Sequence, residues 1–302
     1  MKIGVIGVGA VGGYFGAKLA RAGHDVTFIG TERTVKALKE KGLVIKSYQG
    51  DFAIKEPKVA HDFKAIKDAD IILFCVKAYN TEEVAKALKQ RIGEKPVIVS
   101  LQNGIDNPDI LSNIFGADRV VGSVVFITSG LLEPGVIKHT SYGKILLGEM
   151  NGEITDRLRN LEKLFLNSDV PSGVTSELKK EMWKKLMLNV AYNGFTSIVG
   201  KPLEKFYDVP EAGECFKAML REVKLVALKE GIKISDEELE TSYKFTETKG
   251  FSTFKSSTLL DVEAGKPIEV DTMQGTVLRY AKKHNLEVPM NKLIYSLLKM
   301  KY

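Results

Sequence analysis

The opening segment constrains this chain more than any other. A short apolar run, Ile3-Gly4-Val5-Ile6, leads into Gly7-Val8-Gly9-Ala10-Val11-Gly12, after which Ala17, Leu19 and Ala20 continue with helical spacing. That is a strand, a tight turn and a helix. In a G-x-G-x-x-G turn the first glycine permits the bend and the second lets a pyrophosphate approach the backbone. The third lets helix and strand pack closely. Phosphate oxygens would meet unpaired N–H groups and the positive end of the helix, so residues Gly7 to Gly12 are expected to hold a dinucleotide. Two other readings compete. A secretory leader is suggested by Lys2 ahead of small apolar residues, but glycine interrupts the run and Arg21 and His24 follow without a cleavage context. The other reading is a glycine-rich turn that binds nothing, which leaves the complete strand, turn and helix without a purpose.

With 302 residues there is room for one large or two ordinary domains. The net charge of +6 comes from lysines scattered among acids, not from a basic face, so no nucleic-acid partner is expected, while a small anionic substrate suits the mild excess. Only Cys75 and Cys215 occur. They make no disulfide framework, and a reducing, cytoplasmic setting is expected. No uninterrupted apolar run is long enough to cross a bilayer, so no membrane partner is expected. His24, His61, His139 and His284 lack metal-ligand spacing, and no metal is expected.

Along the chain, residues 25–29 read as a second strand and residues 34–41 as a helix ending at Gly42. Short strands follow at 43–47 and 51–54. Residues 70–76 form a nearly continuous apolar run, as expected of a parallel strand buried on both faces. A helix at 81–90 and a buried strand at 96–101 complete a βαβα alternation, which predicts a doubly wound sheet. Residues 120–129, 135–140 and 144–148 read as three strands extending that sheet, followed by a helix at 155–166 and a last strand at 169–174. Everything after Ser176 reads as helix, including a capping box at Ser235-Asp236-Glu237-Glu238. The expected division is therefore a dinucleotide-binding domain at 1–174 and an all-α domain at 175–302.

Ligands of such sheets bind beyond the carboxyl ends of the strands. Two strand ends carry polar residues there: Lys77, and Gln102-Asn103-Gly104. In the first helix of the second domain, Lys185, Asn189 and Asn193 are four residues apart and share one helical stripe. Asparagine adds no apolar burial and is a mediocre helix former, so a lysine and two asparagines beside apolar neighbours suggest a polar seam with a partner. Lys180 and Lys184 read as solvated surface.

Taken together, Gly7-x-Gly9-x-x-Gly12, Val76-Lys77-Ala78, Leu101-Gln102-Asn103-Gly104, Glu181-Met182-Trp183-Lys184-Lys185-Leu186 with Asn189 and Asn193, and the block 256–271 resemble the ketopantoate reductase family, also called 2-dehydropantoate 2-reductase. The resemblance spans essentially the whole chain. It implies a Rossmann-type domain followed by a helical domain, with the active site between them. It also implies NADPH-dependent reduction of 2-dehydropantoate to pantoate, on the route to pantothenate and coenzyme A. Carried over by residue, Lys185 is the general acid. Asn103, Asn189, Asn193 and Ser257 hold the substrate, and Glu269 orients Lys185 or contacts the cofactor. Lys77, Asn103 and the backbone near Ile127 touch the nucleotide.

Two departures keep alternatives open. Many members of the family place arginine just after the second strand, where it meets the 2′-phosphate of NADPH. Here Thr31 stands there, followed by Glu32 and Arg33. Arg33 or Lys36 can substitute, or Glu32 can bind ribose hydroxyls and favour NADH. An asparagine that some members use for substrate is replaced near Leu203. A reductase of another branched 2-oxo acid and a non-catalytic dinucleotide sensor therefore stand as rival readings. A homodimer is possible, although no heptad seam fixes one.

Overall fold

The computed structural model describes residues 1–248, 252–253 and 255–302. It divides into two compact units, Met1–Leu178 and Lys179–Tyr302.

The first unit is built on one sheet of ten strands: β1 (Lys2–Ile6), β2 (Asp25–Ile29), β3 (Leu43–Ser47), β4 (Phe52–Ile54), β5 (Lys58–Ala60), β6 (Ile71–Phe74), β7 (Val97–Ser100), β8 (Val120–Glu133), β9 (Val136–Glu149) and β10 (Ser172–Val174). The helices are α1 (Ala10–Arg21), α2 (Glu32–Lys41), α3 (Thr81–Lys89), α4 (Asn107–Phe115) and α5 (Asp156–Leu166). The order β5-β2-β1-β6-β7-β8 is parallel throughout. It reverses direction of growth at β1, so the carboxyl ends of β1 and β6 flank a topological switch point. Residues alternate cleanly between two cores. Ile3, Val5, Ile71 and Leu73 join α1 and α5 on one face, while Ile6, Ile72 and Phe74 join α3 and α4 on the other. Both faces are covered, as a parallel sheet requires.

The extension beyond β8 differs from the expected three strands. β8 and β9 form one antiparallel pair of fourteen residues each. The break expected between 140 and 144 is absorbed by a register shift at Phe126/Ile127, where Tyr142 and Gly143 take positive φ (62° and 104°). Turn-forming residues thus make a bulge, and pairing resumes beyond it. β9 then takes β3 along its first residues and β10 along its last. Among the strands and α-helices of this unit, β5 and α4 were not expected from the sequence. The helix expected at 34–41 starts at Glu32, because the Thr31 hydroxyl accepts from Thr34 N–H (3.3 Å) and caps it.

The second unit is helical: α6 (Leu178–Val199), which begins on the boundary, then α7 (Pro210–Lys229), α8 (Asp236–Glu247), α9 (Ser257–Glu263), α10 (Gln274–Lys283) and α11 (Pro289–Lys301). The capping box is present, with Ser235 Oγ accepting from Glu238 N–H and Glu238 accepting from Ser235 N–H. α11 is capped from another helix: the Glu222 carboxylate accepts from the N–H groups of Met290 and Asn291 (2.9 Å each). Leu186, Met187, Val190, Phe216, Leu220, Val223, Val277 and Leu298 are fully buried in this unit.

Candidate active site

In the first unit the glycines of the β1–α1 turn have separable duties. Gly7 has φ +91°, and a Cβ there would stand 2.9 Å from the main chain of Cys75 and Val76. A Cβ at Gly12 would stand 2.2 Å from the Gly7 carbonyl oxygen. The fold itself demands both glycines. At Gly9 a Cβ would meet nothing within 4 Å, so the protein alone gives no reason for a glycine there. Gly9 is also the N-cap of α1, with no side-chain cap and no acidic residue in the first turn. The positive end of this helix therefore carries neither a side-chain cap nor a neutralising carboxylate in its first turn. Val8 is buried, and Ala10 and Val11 are half-buried around the turn.

At the end of β2, Thr31, Glu32 and Arg33 are exposed. Arg33 lies in the first turn of α2 beside Glu32, and Lys36 reaches Glu40 at 4.0 Å. At the end of β6, Lys77 is half-buried and starts a single helical turn, Ala78–Asn80. At the end of β7, two polar neighbours part company. Gln102 is buried and donates from Nε2 to the Val76 carbonyl (3.0 Å) and the Thr81 hydroxyl (2.7 Å), whereas Asn103 is half-buried. Ile127 lies in β8 at the bulge, packed against the sheet core.

In the second unit Lys185, Asn189 and Asn193 lie within one helix, α6. Met182, Trp183, Leu186, Met187 and Val190 are buried, with Lys185 and Asn189 half-buried alongside. Asn193 is 3 % exposed, and its Nδ2 has no hydrogen-bond partner among the described residues. A buried amide without a partner is costly. Lys180 and Lys184, expected as solvated surface, are half-buried and pair with Glu238 (3.0 and 3.4 Å), and Lys184 also pairs with Glu181.

Lys185 differs from those lysines. Desolvation pushes its ammonium down to about 8, opposed by the nearby Glu269 carboxylate. Glu269 lies in the loop between α9 and α10. Of the serine pair, Ser256 is buried as the cap of α9, accepting from Leu259 N–H (3.1 Å) and bonded to the Thr196 hydroxyl (2.6 Å). Ser257, one residue on, is exposed. Leu203 is buried at 1 % exposure.

Sequence reasoning missed the residues that hold α6 in place. Gln274 Nε2 donates to the Val190 carbonyl (3.0 Å). Gly194 admits this approach, because a Cβ there would stand 3.3 Å from that nitrogen and 2.5 Å from Ile294. At the far end of α6, Lys301 Nζ and Tyr302 Oη donate to the Ser197 carbonyl. Nothing in local spacing links these positions to α6, since the contacts are long-range.

Residues 3–152 match the family described as Ketopantoate reductase PanE/ApbA, and residues 177–302 match Ketopantoate reductase PanE/ApbA C terminal. The chain belongs to the ketopantoate reductase family. It is 31% identical to the 2-dehydropantoate 2-reductase of Pyrococcus abyssi, over 100% of this chain and 98% of that one. It is 32% identical to an uncharacterized oxidoreductase of Bacillus subtilis, over 99% and 98%. The crystal structure of 2-dehydropantoate 2-reductase from Geobacter metallireducens superposes with a TM-score of 0.94 at 29% identity, covering 100% of both chains. Within this family of oxidoreductases, the chain keeps the Rossmann-type first unit and the helical second unit. Among its described residues no group of three or more His, Cys, Asp or Glu side chains is placed to hold a metal ion, and no helix is long and apolar enough to cross a membrane.

Proposed function

We propose that this ketopantoate reductase family member reduces 2-dehydropantoate to pantoate with NADPH in the cytoplasm. The observation that carries the reading is Lys185: an ammonium depressed to about 8 beside Glu269, on the stripe that also bears Asn189 and the unpartnered Asn193. The turn from Gly7 to Gly12 fits a dinucleotide, because Gly9 is open where a side chain would obstruct a pyrophosphate and the α1 start lacks a cap. When bound, the nicotinamide supplies a hydride to the ketone carbon. The carbonyl π pair then settles on oxygen, and Lys185 Nζ gives its proton to that oxygen, leaving a neutral amine and an alcohol. A lysine near 8 is a better acid than one near 10.5, yet remains charged at neutral pH. Asn103, Asn189, Asn193 and Ser257 hydrogen-bond the substrate, Lys77 and Ile127 line the nucleotide, and Glu269 orients Lys185 or contacts the cofactor while its charge opposes the desolvation of the ammonium. Arg33, exposed in the first turn of α2, takes the 2′-phosphate. Glu32 beside it makes NADH the competing cofactor. Free Cys75 and Cys215 suit a reducing compartment.

The purified protein is expected to oxidise NADPH in the presence of 2-dehydropantoate. No turnover with either NADPH or NADH would sink the reading. Buried Leu203, standing where some members of the family use asparagine, favours a second reading in which a less polar branched 2-oxo acid is the substrate. A panel of branched 2-oxo acids ranked by kcat/KM separates the two.

A further inference from the structure

The carboxyl edge of the first unit carries a continuous chain of buried hydrogen bonds. Ser123 Oγ in β8 donates to the Ser100 carbonyl (2.5 Å), and Ser100 Oγ donates to Gln102 Oε1 (3.3 Å). Gln102 Nε2 donates to both the Val76 carbonyl (3.0 Å) and Thr81 Oγ1 (2.7 Å). Thr81 Oγ1 donates its one proton to Asn107 Oδ1 (2.8 Å), and Asn107 Nδ2 donates to the Asn103 carbonyl (2.6 Å). Ser100, Thr81, Ser123 and Asn107 are all under 5 % exposed, and Gln102 is 8 % exposed.

The direction of each bond fixes the next. Gln102 gives its amide protons away, so Thr81 must accept there and spend its own proton on Asn107. Asn107 then has only Nδ2 left for Asn103. The chain begins in the sheet and ends on two main-chain carbonyls, one immediately before Lys77 and one on Asn103 itself. Thr81 and Asn107 are the first residues of α3 and α4, so two helix starts are also joined side chain to side chain.

We propose that Thr81, Gln102 and Asn107 are positioning residues that hold the Lys77 and Asn103 segments as one rigid piece, so that both ligand-binding residues are aimed together. The proposal rests on the functional reading above for the roles of Lys77 and Asn103. Thr81 joins the two halves of the chain, accepting from Gln102 and donating to Asn107. An isosteric Thr81→Val keeps the volume but leaves a buried Gln102 proton and a buried Asn107 oxygen unpaired.

The test compares wild type, Thr81→Val, Thr81→Ser, Asn103→Ala and the Thr81→Val/Asn103→Ala double variant. By hydrogen exchange, Thr81→Val is expected to speed exchange in residues 77–80 and 103–107 together, while Thr81→Ser keeps both protected. In turnover with a 2-oxo acid and NADPH or NADH, Thr81→Val is expected to raise KM about tenfold, with Thr81→Ser restoring it. The double variant should lose less than the product of the two single losses, because part of the Thr81 effect passes through Asn103 and part through Lys77. Exchange that rises in one segment only or in neither, or effects on KM that multiply independently, overturns the proposal. A wild type without turnover sinks the functional reading instead, and the exchange pattern still decides the coupling. If Thr81→Val does not fold, Asn107→Ser cuts the Asn107 links to both Thr81 and Asn103 while leaving the bond from Gln102 to Thr81, and it must then loosen residues 103–107 and raise KM or the proposal fails.

Discussion

Lys185 and Glu269 make a pair whose charges can be read in a pH profile. With the Lys185 ammonium near 8 in the free protein, kcat/KM for 2-oxo acid reduction is expected to fall as pH rises through about 8, where the acid loses its proton. Glu269 raises the Lys185 value, so Glu269→Gln should move that limb to lower pH, and a limb that stays or moves up contradicts the assignment. The same shift acts on stability with the opposite convention. A folded-state value below that of the unfolded chain means the unfolded state binds more protons between 8 and 10.5, so this group's penalty is present below 8 and is relieved as pH rises through that window. The glycines allow a second residue-scale test. Gly9→Ala meets nothing in the protein and should leave Tm nearly unchanged while weakening dinucleotide binding. Gly12→Ala, facing the Gly7 carbonyl at 2.2 Å, should lower Tm with or without ligand. Of the candidate site, the glycines of the β1–α1 turn and the Lys185 stripe can be singled out from spacing along one turn or one helix, and Lys77 and Asn103 from their places after β6 and β7. Thr81, Asn107 and Gln274 cannot, because each matters through a partner from 21 to 84 residues away.

Among the elements, α8 shows most directly how a local signal becomes stability. Its Ser235/Glu238 box was readable from four residues, and in the fold Glu238 also receives Lys180 and Lys184 from α6. Hydrogen bonding to Ser235 N–H, with the two lysines behind it, pushes the Glu238 carboxyl down to about 2, against a smaller desolvation that raises it. A depressed carboxylate contributes stability that is present above its unfolded value near 4.5 and is lost as pH falls toward 2. Thermal melts between pH 5 and pH 2 should therefore fall less steeply for Glu238→Gln than for wild type. Ser235→Ala should cost about 1 kcal/mol at neutral pH. Strand boundaries were legible where apolar runs meet glycine or lysine, as in β2 and β3. β5 escaped because Lys58-Val59-Ala60 follows Pro57 without the glycine turn at Gly50 that announces the equally short β4. α4 carries its signal in Asn107-Pro108 at the start and apolar Ile110, Leu111, Ile114 and Phe115, which a reading dominated by the preceding Asn103-Gly104 turn passed over.

At the scale of the whole molecule, two units with separate cores give two optical reporters. The single tryptophan, Trp183, is buried in the second unit against Tyr280, with ring centroids 5.5 Å apart, whereas all ten strands belong to the first. Saturating NADPH, held by the first unit in the proposed reading, should raise the midpoint of the sheet-band transition in the amide I infrared spectrum by on the order of 5–10 °C. Trp183 emission should shift less, and equal shifts would mean that the units unfold as one. The sheet order has a further consequence, for the time at which the fold can close during synthesis. β3 and β4 can pair as soon as they leave the ribosome, helped by Asp51, which receives the Ser47 N–H and the Lys46 ammonium. The other edge of β3 belongs to β9, and Ser47 meets His139 across a separation of 92 residues. At about 5–20 residues per second of translation, that edge stays open for roughly 5–20 s. The β3–β4 hairpin therefore waits as an unpaired ribbon until the β8–β9 pair arrives, and this is the interval in which the nascent chain most needs shielding from other strands.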